Sequence, residues 1–543
     1  MRALNCLTIL VLLFALSIPK ISFCQGWVKT FSSSIYHTFS YQLTEDYDHG
    51  IIIGGNLSVG RSIMKIGWII KTDINGNILW EKQLGNGTRM WALDGIDKTP
   101  DGGVIVAGVC DTLDVDWWDP FIVKLTACGE IEWCHVFHTD NDRDYGMKIK
   151  ALPDGSYIFL LKDWEVNPSN SVWLMHLDVN GAIIWEQRYF QSDTLVSPYN
   201  ETALDVLPDG KYLVTGTCYR PDSGQVQPYW VWPMMIMADS TGEAVWEIPW
   251  GYALPFPDWV NGEGFQSIKT DHAIYSCTSN YHGPDPNYSP CLIKTSLTGE
   301  PVSYHDLIPN TAFGKASTIT RLSDSVFFIG VGYQNTSAHS TLSVLKTDTL
   351  GSIIKETILN HTDFIPWDAI LTQDNKLLIT AWNFIDNKYL FYLWKLNQNL
   401  DFDSIYTQPR VYDSLCPYPV TSSTLYFQCD LVVGMEEPVR DIEKVKMHIY
   451  PNPGNGIIHV EFPECIQKQT ETKHLTVTTI FHKWYNDSDM EVFDLFGRLI
   501  FRQVVSPSER EVLLDVSKWS KGMYYLRLSN GGTVVATEKV VVN

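Results

Sequence analysis

The chain has 543 residues, 13% of them aromatic with 20 Trp, and sets Lys+Arg 40 against Asp+Glu 62 for a net charge of −22. That length has room for two or more domains and a large core. So acidic a balance excludes nucleic-acid backbones and anionic lipid as natural partners. The aromatic content, without any long Ala/Glu/Lys/Leu stretch, points to strands and ligand-facing loops.

Residues 1–24 read as an export signal. Arg2 supplies a charged start, "CLTILVLLFALSI" a short apolar run, and "SFCQG" a cut before Gln25. No later segment is long and apolar enough to form a transmembrane segment, so the mature chain is expected outside the cell or attached to its surface by something other than a helix. Eleven Cys fall to nine if Cys6 and Cys24 leave with the signal, and an odd number leaves at least one without an intramolecular partner. Two bridges are expected in an oxidising compartment: Cys277 with Cys291, across a loop between neighbouring strands, and Cys416 with Cys429, around "PYPVTSSTLYFQ". No Cys/His pairs carry zinc spacing.

Next comes a repeat. "KTDINGNILWEK" from Lys71 returns as "KLTACGEIEWCH" from Lys124, "HLDVNGAIIWEQ" from His176 and "MADSTGEAVWEI" from Met237. The turn Gly falls at Gly76, Gly129, Gly181, Gly242, Gly299 and Gly351, with a seventh, eroded copy centred on Asn399. A second marker precedes each copy, as in "PDGGVIV" and "PDGKYLV". Asp-Gly and Asn-Gly turns between apolar runs are hairpins, because Gly accepts positive φ. Four short strands per unit, repeated radially, predict a seven-bladed β-propeller over 25–407; a solenoid would want parallel strands and shorter repeats. Trp80, Trp133, Trp185 and Trp246 are expected to pack flat against the next blade. They resemble the tryptophan-docking motif of quinoprotein propellers, although the Asp-to-Trp spacing here is one residue shorter. "WVKTF" at Trp27 has the look of an outer strand that completes the last blade.

The long loops, among them "DTLDVDWWD", "KDWEVNPSN" and "SNYHGPDPNYSP", are expected to emerge on one face. They offer Trp117, Trp118, Trp164, Trp230, Tyr281, Tyr288 and Trp382 as candidate stacking surfaces for a sugar or peptide. The alternative is that these rings pack the loops together. No catalytic residue can be named: HExxH, GxSxG, a phosphate-cradling loop and a sialidase-type Arg cluster are all missing. No cofactor is implied, except that Asp140, Asp142 and Asp144 have the alternate spacing of a calcium loop. Tyr145 and Ala151 stand where that loop wants Gly and Glu, which leaves a solvated acidic loop as the rival.

Residues 408–445 read as a linker, and 446–543 as a small immunoglobulin-like β-sandwich of short strands with Gly turns. "YPNPGNG", "VFDLFGRLI" and "KGMYYLRL" place Tyr450, Pro451, Asn452, Pro453, Gly456, Asp494, Gly497, Gly522 and Tyr524 in three blocks. These blocks resemble the type A C-terminal sorting domain of the Bacteroidetes type IX secretion system, which implies export through that machinery. The departure is an insertion at 463–489. The repeat in turn resembles the "DGGYIVAG … LIKLDSNGNILW" units of secreted propellers, a likeness that names no activity. Three readings follow: a non-catalytic module binding a glycan or surface protein, a glycan-active hydrolase or lyase, and a structural envelope component.

Overall fold

The computed structural model describes residues 27–543 apart from 34, 59–64, 86–88, 112–117, 138–143, 164–171, 191–196, 220–230, 251–261, 283–286, 310, 336–338, 362–365, 386, 428, 433–446, 462–465, 473–474, 482–487, 495–497, 507–510 and 531–532. The chain divides into two compact units, Met1–Met435 and Glu436–Asn543. The fold is all-β: among the described residues there is no helix.

In the first unit the strands up to Leu396 fall into seven antiparallel groups of four, here sheets I to VII, of which I and II are joined where Ile66 pairs parallel with Trp91. Their first strands are His37–Glu45, Trp91–Lys98, Asp144–Ala151, Ser197–Val206, Gly264–Lys269, Phe313–Ser323 and Pro366–Leu371. Sheets I to VI each take four consecutive strands. Sheet VII takes three and borrows its fourth from the start of the chain, where Val28–Phe31 pairs antiparallel with Lys388–Leu396 and Val28 lies opposite Trp394. First strands are tied to those of the next sheet by side chains. Gln42 accepts from Ile96 N at 3.1 Å, Gln266 from Ile319 N at 3.0 Å, and Asp368 of sheet VII from Leu43 N of sheet I at 2.7 Å.

The recurring polar turn has a local cause. Asp73 Oδ1 accepts from the backbone N–H of Asn75 at 2.9 Å and of Asn77 at 2.8 Å, so one carboxylate closes the turn twice. Asp178, Asp239 and Asp348 repeat this pair of bonds, and Thr126, Ser296 and Asn397 do so with a hydroxyl or amide oxygen. In the seventh copy the residue with positive φ (58°) is Leu400, not Asn399; Leu400 is wholly buried, and that burial offsets the backbone cost. The turn Gly also explains the Trp. At Gly181, φ is 81° and an added Cβ would lie 2.9 Å from Trp133 of the preceding sheet; at Gly242 it would lie 2.6 Å from Trp185, and at Gly299 2.8 Å from Trp246. These three rings therefore rest on the next sheet's turn, whereas Trp80 donates to Asp413 of the tail at 3.2 Å and the Gly129 turn meets Lys82.

Several expectations about the tail are overturned. Residues 408–432 are not a free linker. Ser423–Leu425 pairs parallel with the outer strand of sheet I, Asp430–Val432 with that of sheet II, and Phe427 packs on Trp91 with ring centroids 4.7 Å apart. Asp413 enters a buried cluster in which Lys71 Nζ meets Asp46 at 2.6 Å, Asp48 at 2.7 Å and Asp413 at 2.6 Å. Cys416 and Cys429 do not pair with each other; the disulfides are Cys128–Cys416 and Cys134–Cys429. Parallel pairing of Asp430–Val432 with sheet II brings Cys429 to Cys134, while Tyr418 donates to Glu130 at 2.8 Å and holds the segment of Cys416 at the turn of Cys128. The expected Cys277–Cys291 bridge is not made either, and both are buried thiols. In register Cys277 faces Leu292 and Cys291 faces Thr278, so the two side chains leave opposite faces of their hairpin.

In the second unit, strands His448–Tyr450, Ile457–Glu461 and Glu511–Asp515 form one sheet, and Leu499–Val505, Ser488–Asp494, Gly522–Asn530 and Thr533–Val542 another. Both contribute to one core, including Ile458, Val492, Leu514 and Leu526. The inserted stretch contains its own hairpin, Ile466–Thr472 with Leu475–Phe481. "YPNPGNG" is bound to the last strand: Asn452 donates to Lys539 O at 2.6 Å and accepts from Val541 N at 2.8 Å.

Candidate functional site

The inner strands share a feature that organises a site. Each of the seven slips by one residue against its second strand: at Tyr41, Asp94, Met147, Thr202, the Phe265–Gln266 pair, Ser317 and Trp367. A β-bulge re-aims a side chain out of the alternation of its strand. Here Tyr41, Asp94, Met147, Phe265, Gln266, Ser317 and Trp367 all line one cavity of about 590 Å³, to which all seven first strands contribute. The side chain of Thr202 lies outside the described residues.

The bulges left a trace in the sequence, in the Gly of "IIIGGN" and "VAGVC". Gly55 and Gly108 stand opposite the slips in sheets I and II, and an added Cβ would come within 1.9 Å of Phe39 O and Ala92 O. A Gly inside a strand marks a bulge or a close backbone approach, and that signal could have located the site.

The cavity wall mixes charges. Asp94, Asp205, Glu263 and Asp368 line it together with Lys148, Lys150, Lys315 and Arg321. Lys315 pairs with Glu263 and lies 5.5 Å from the Phe265 ring and 5.7 Å from that of Phe313. Asp368 accepts from two backbone N–H groups, Leu43 at 2.7 Å and Ala369 at 2.9 Å. Burial raises the carboxyls of Asp94 and Asp368 and the phenol of Tyr41, and lowers the ammonium of Lys148. For Asp205, burial is again the largest cause, with the Asp368 charge adding to it, and the carboxyl is pushed up to about 6.

One flank of the cavity is aromatic. Trp367, 37% exposed, meets Tyr41 edge-on at 5.5 Å and stacks on Trp382 at 5.6 Å; Trp382 in turn sits edge-on to Phe39 at 5.4 Å and Tyr389 at 5.1 Å. Flat rings beside fixed donors and acceptors suit the alternating apolar faces and hydroxyls of a sugar.

Of the residues singled out from the loops, those that are described are not gathered here. Trp117, Trp164, Trp230, Asp140 and Asp142 lie outside the described residues, as do the side chains of Asp144 and Tyr281. Trp118 packs near Met90, Ala92 and Val109 and meets Tyr145 at 5.2 Å, while Tyr288 faces Phe313 at 6.2 Å; neither lines the cavity. Trp382 reaches it only through Trp367. Among the described residues, no group of three or more His, Cys, Asp or Glu could hold a metal ion.

Residues 448–543 match the secretion system C-terminal sorting domain. The chain therefore carries a type IX sorting signal, and its location is secreted or on the outer cell surface. No match was found among curated proteins. Among solved structures, the chain is similar to the PL25 ulvan lyase, a polysaccharide lyase, at 9% identity and a TM-score of 0.48, over 68% of this chain and 96% of that one. It is also similar to Penicillium chrysogenum alpha-L-arabinanase (10% identity, TM-score 0.33, 58% and 87% covered) and to Galerina marginata prolyl oligopeptidase B (12%, 0.38, 78% and 55%). Overlaps of this depth carry no argument about the activity of this chain.

Proposed function

We propose that the first unit is a seven-bladed β-propeller, closed by its N-terminal strand, that binds a glycan in its axial cavity, and that the C-terminal unit is an immunoglobulin-like sandwich recognised by the type IX machinery. One observation carries the binding site: six equivalent bulges aim seven dissimilar residues at one cavity, while the turns around them repeat nearly unchanged. A purely structural envelope role gives no reason for that divergence. Trp367 is the expected stacking platform. On a glycan array, the wild-type chain should bind a defined subset of glycans. Trp367→Ala should weaken that binding by about 1 to 3 kcal/mol, the usual range for an aromatic ring that a bound partner covers. Full retention of binding by this variant would sink the assignment of the site.

A second reading, a secreted glycan hydrolase or lyase, is favoured by Asp205 alone. A cavity carboxyl pushed up to about 6 is tuned for proton exchange near neutral pH. Release of reducing or unsaturated ends from a bound glycan, abolished in Asp205→Asn, would convert the binding module into an enzyme.

A further inference from the structure

Two cations in the cavity are not accounted for by the fold. Lys148 and Lys150 are alternate residues of one inner strand, Asp144–Ala151, so both project from its inner face, while Ile149 between them is wholly buried on the other. Each ammonium has three N–H donors. Lys148 gives one to the carbonyl of Asp94 at 3.2 Å, and Lys150 makes no hydrogen bond among the described residues. Neither has a carboxylate within 4.0 Å among the described residues.

Several of the charges in and around the cavity are better served. Lys315 is paired with Glu263, and Asp368 takes two backbone N–H groups. Asp97, which bears on Lys150 from the neighbouring sheet, accepts from Lys98 N at 3.0 Å and Ala151 N at 3.1 Å. The acids act on the two lysines at a distance, Asp94 and Asp368 on Lys148, and Asp97, Asp205 and Asp368 on Lys150. They stabilise the charges without using the donors. Desolvated ammonium groups with unused donors are costly to hold and are complementary to an anion that brings several acceptors.

We infer that the cavity takes an acidic glycan, whose carboxylate or sulfate group is held by Lys148 and Lys150 while a neighbouring sugar face lies against Trp367. This rests on the reading of the cavity as a glycan site and deepens it. It also gives a net-negative chain a reason to place two open cations on one strand of its cavity: they select an anion that the rest of the surface repels.

The test is calorimetric titration of the mature full-length protein with three oligosaccharide sets of equal length: oligogalacturonate for the carboxylate, carrageenan oligosaccharides for the sulfate, and cello-oligosaccharides as neutral controls. At least one acidic set should bind tenfold or more tighter than the neutral one, and raised salt should narrow the gap. Lys148→Met and Lys150→Met, which keep the stem and remove the charge, should each reduce acidic binding by roughly ten- to a hundredfold. Binding of the neutral set should fall far less than that of the acidic sets, and Lys148→Arg should restore most of the acidic preference. Melting curves show whether each variant is folded, and the Arg variant keeps the test informative if a Met variant is not. If cello-oligosaccharides bind as well as the acidic sets, the glycan cavity stands and the two-lysine subsite falls. If no set binds, both fall. If a folded Lys148→Met,Lys150→Met variant keeps its acidic preference, the anion is held elsewhere and the inference is overturned.

Discussion

Asp205 shows how much a single inner-strand residue can carry. Its carboxyl is held at about 6 chiefly by burial, above the ordinary value near 3.9 for Asp. The folded chain thus binds this proton more tightly than the unfolded chain, and stability must fall as pH rises from about 4 to about 6. Asp205→Asn should therefore stabilise the protein at pH 7.5, by about 3 kcal/mol at most, and leave it little changed at pH 4. Melting temperatures at the two pH values check this, and an equal gain at both would show that burial of the charge is not the cause. Nothing in "ETALDVLPDG" announces such a role, because desolvation is a property of seven strands meeting and not of one. The turn residues are the opposite case. Asp73 and Gly76 act within five residues of each other, so their pattern could be read directly, and only Leu400 at the seventh turn escaped, its backbone cost hidden by burial.

At the scale of elements, the tail that follows sheet VII shows where local reading stops. The expected pairs Cys277–Cys291 and Cys416–Cys429 were chosen for nearness in sequence, whereas the bridges formed join residues 288 and 295 positions apart. No spacing rule reaches that far. The inner-strand bulges were missed for a related reason, since a slip exists only relative to a partner strand, although Gly55 and Gly108 hinted at it. The two bridges should act cooperatively. In the chain-entropy account, either bridge alone closes a loop of nearly 300 residues, worth about 5 to 6 kcal/mol; with one in place, the other closes only a loop of roughly twenty, worth about 3 kcal/mol. Cys134→Ser and Cys128→Ser, each with its partner also changed to Ser, should thus cost about 3 kcal/mol apiece. Loss of both should cost about 9 kcal/mol, more than the sum. Denaturant unfolding of the three variants under non-reducing conditions measures this, and simple additivity would mean that the bridges do not share one restraint.

For the whole molecule, the boundary between cargo and address can be set by the tail's contacts. Ser423–Leu425 and Asp430–Val432 complete sheets I and II, both disulfides lie before residue 433, and the first compact unit runs to Met435. The repeat ends near residue 407, but the folding unit does not. Truncation after Met435 should leave the Lys71–Asp413 cluster and both bridges intact and melt close to the wild type. Truncation after Thr407 removes Asp413, which leaves Lys71 without one of its three carboxylates, and also removes the strands covering two outer edges. That shorter protein should be markedly less stable and prone to associate through the bared edges of sheets I and II. Neither truncated protein carries the sorting domain matched at 448–543. In a host with a working type IX system, the chain ending at Met435 should therefore accumulate in the periplasm, folded, disulfide-bonded and still able to bind whatever glycan the full-length protein binds. The experiment separates address from cargo, because the same protein is assayed for location by fractionation and for folding by melting temperature. Delivery of the chain ending at Met435 to the cell surface at the wild-type level would show that residues 436–543 are not what the export machinery reads.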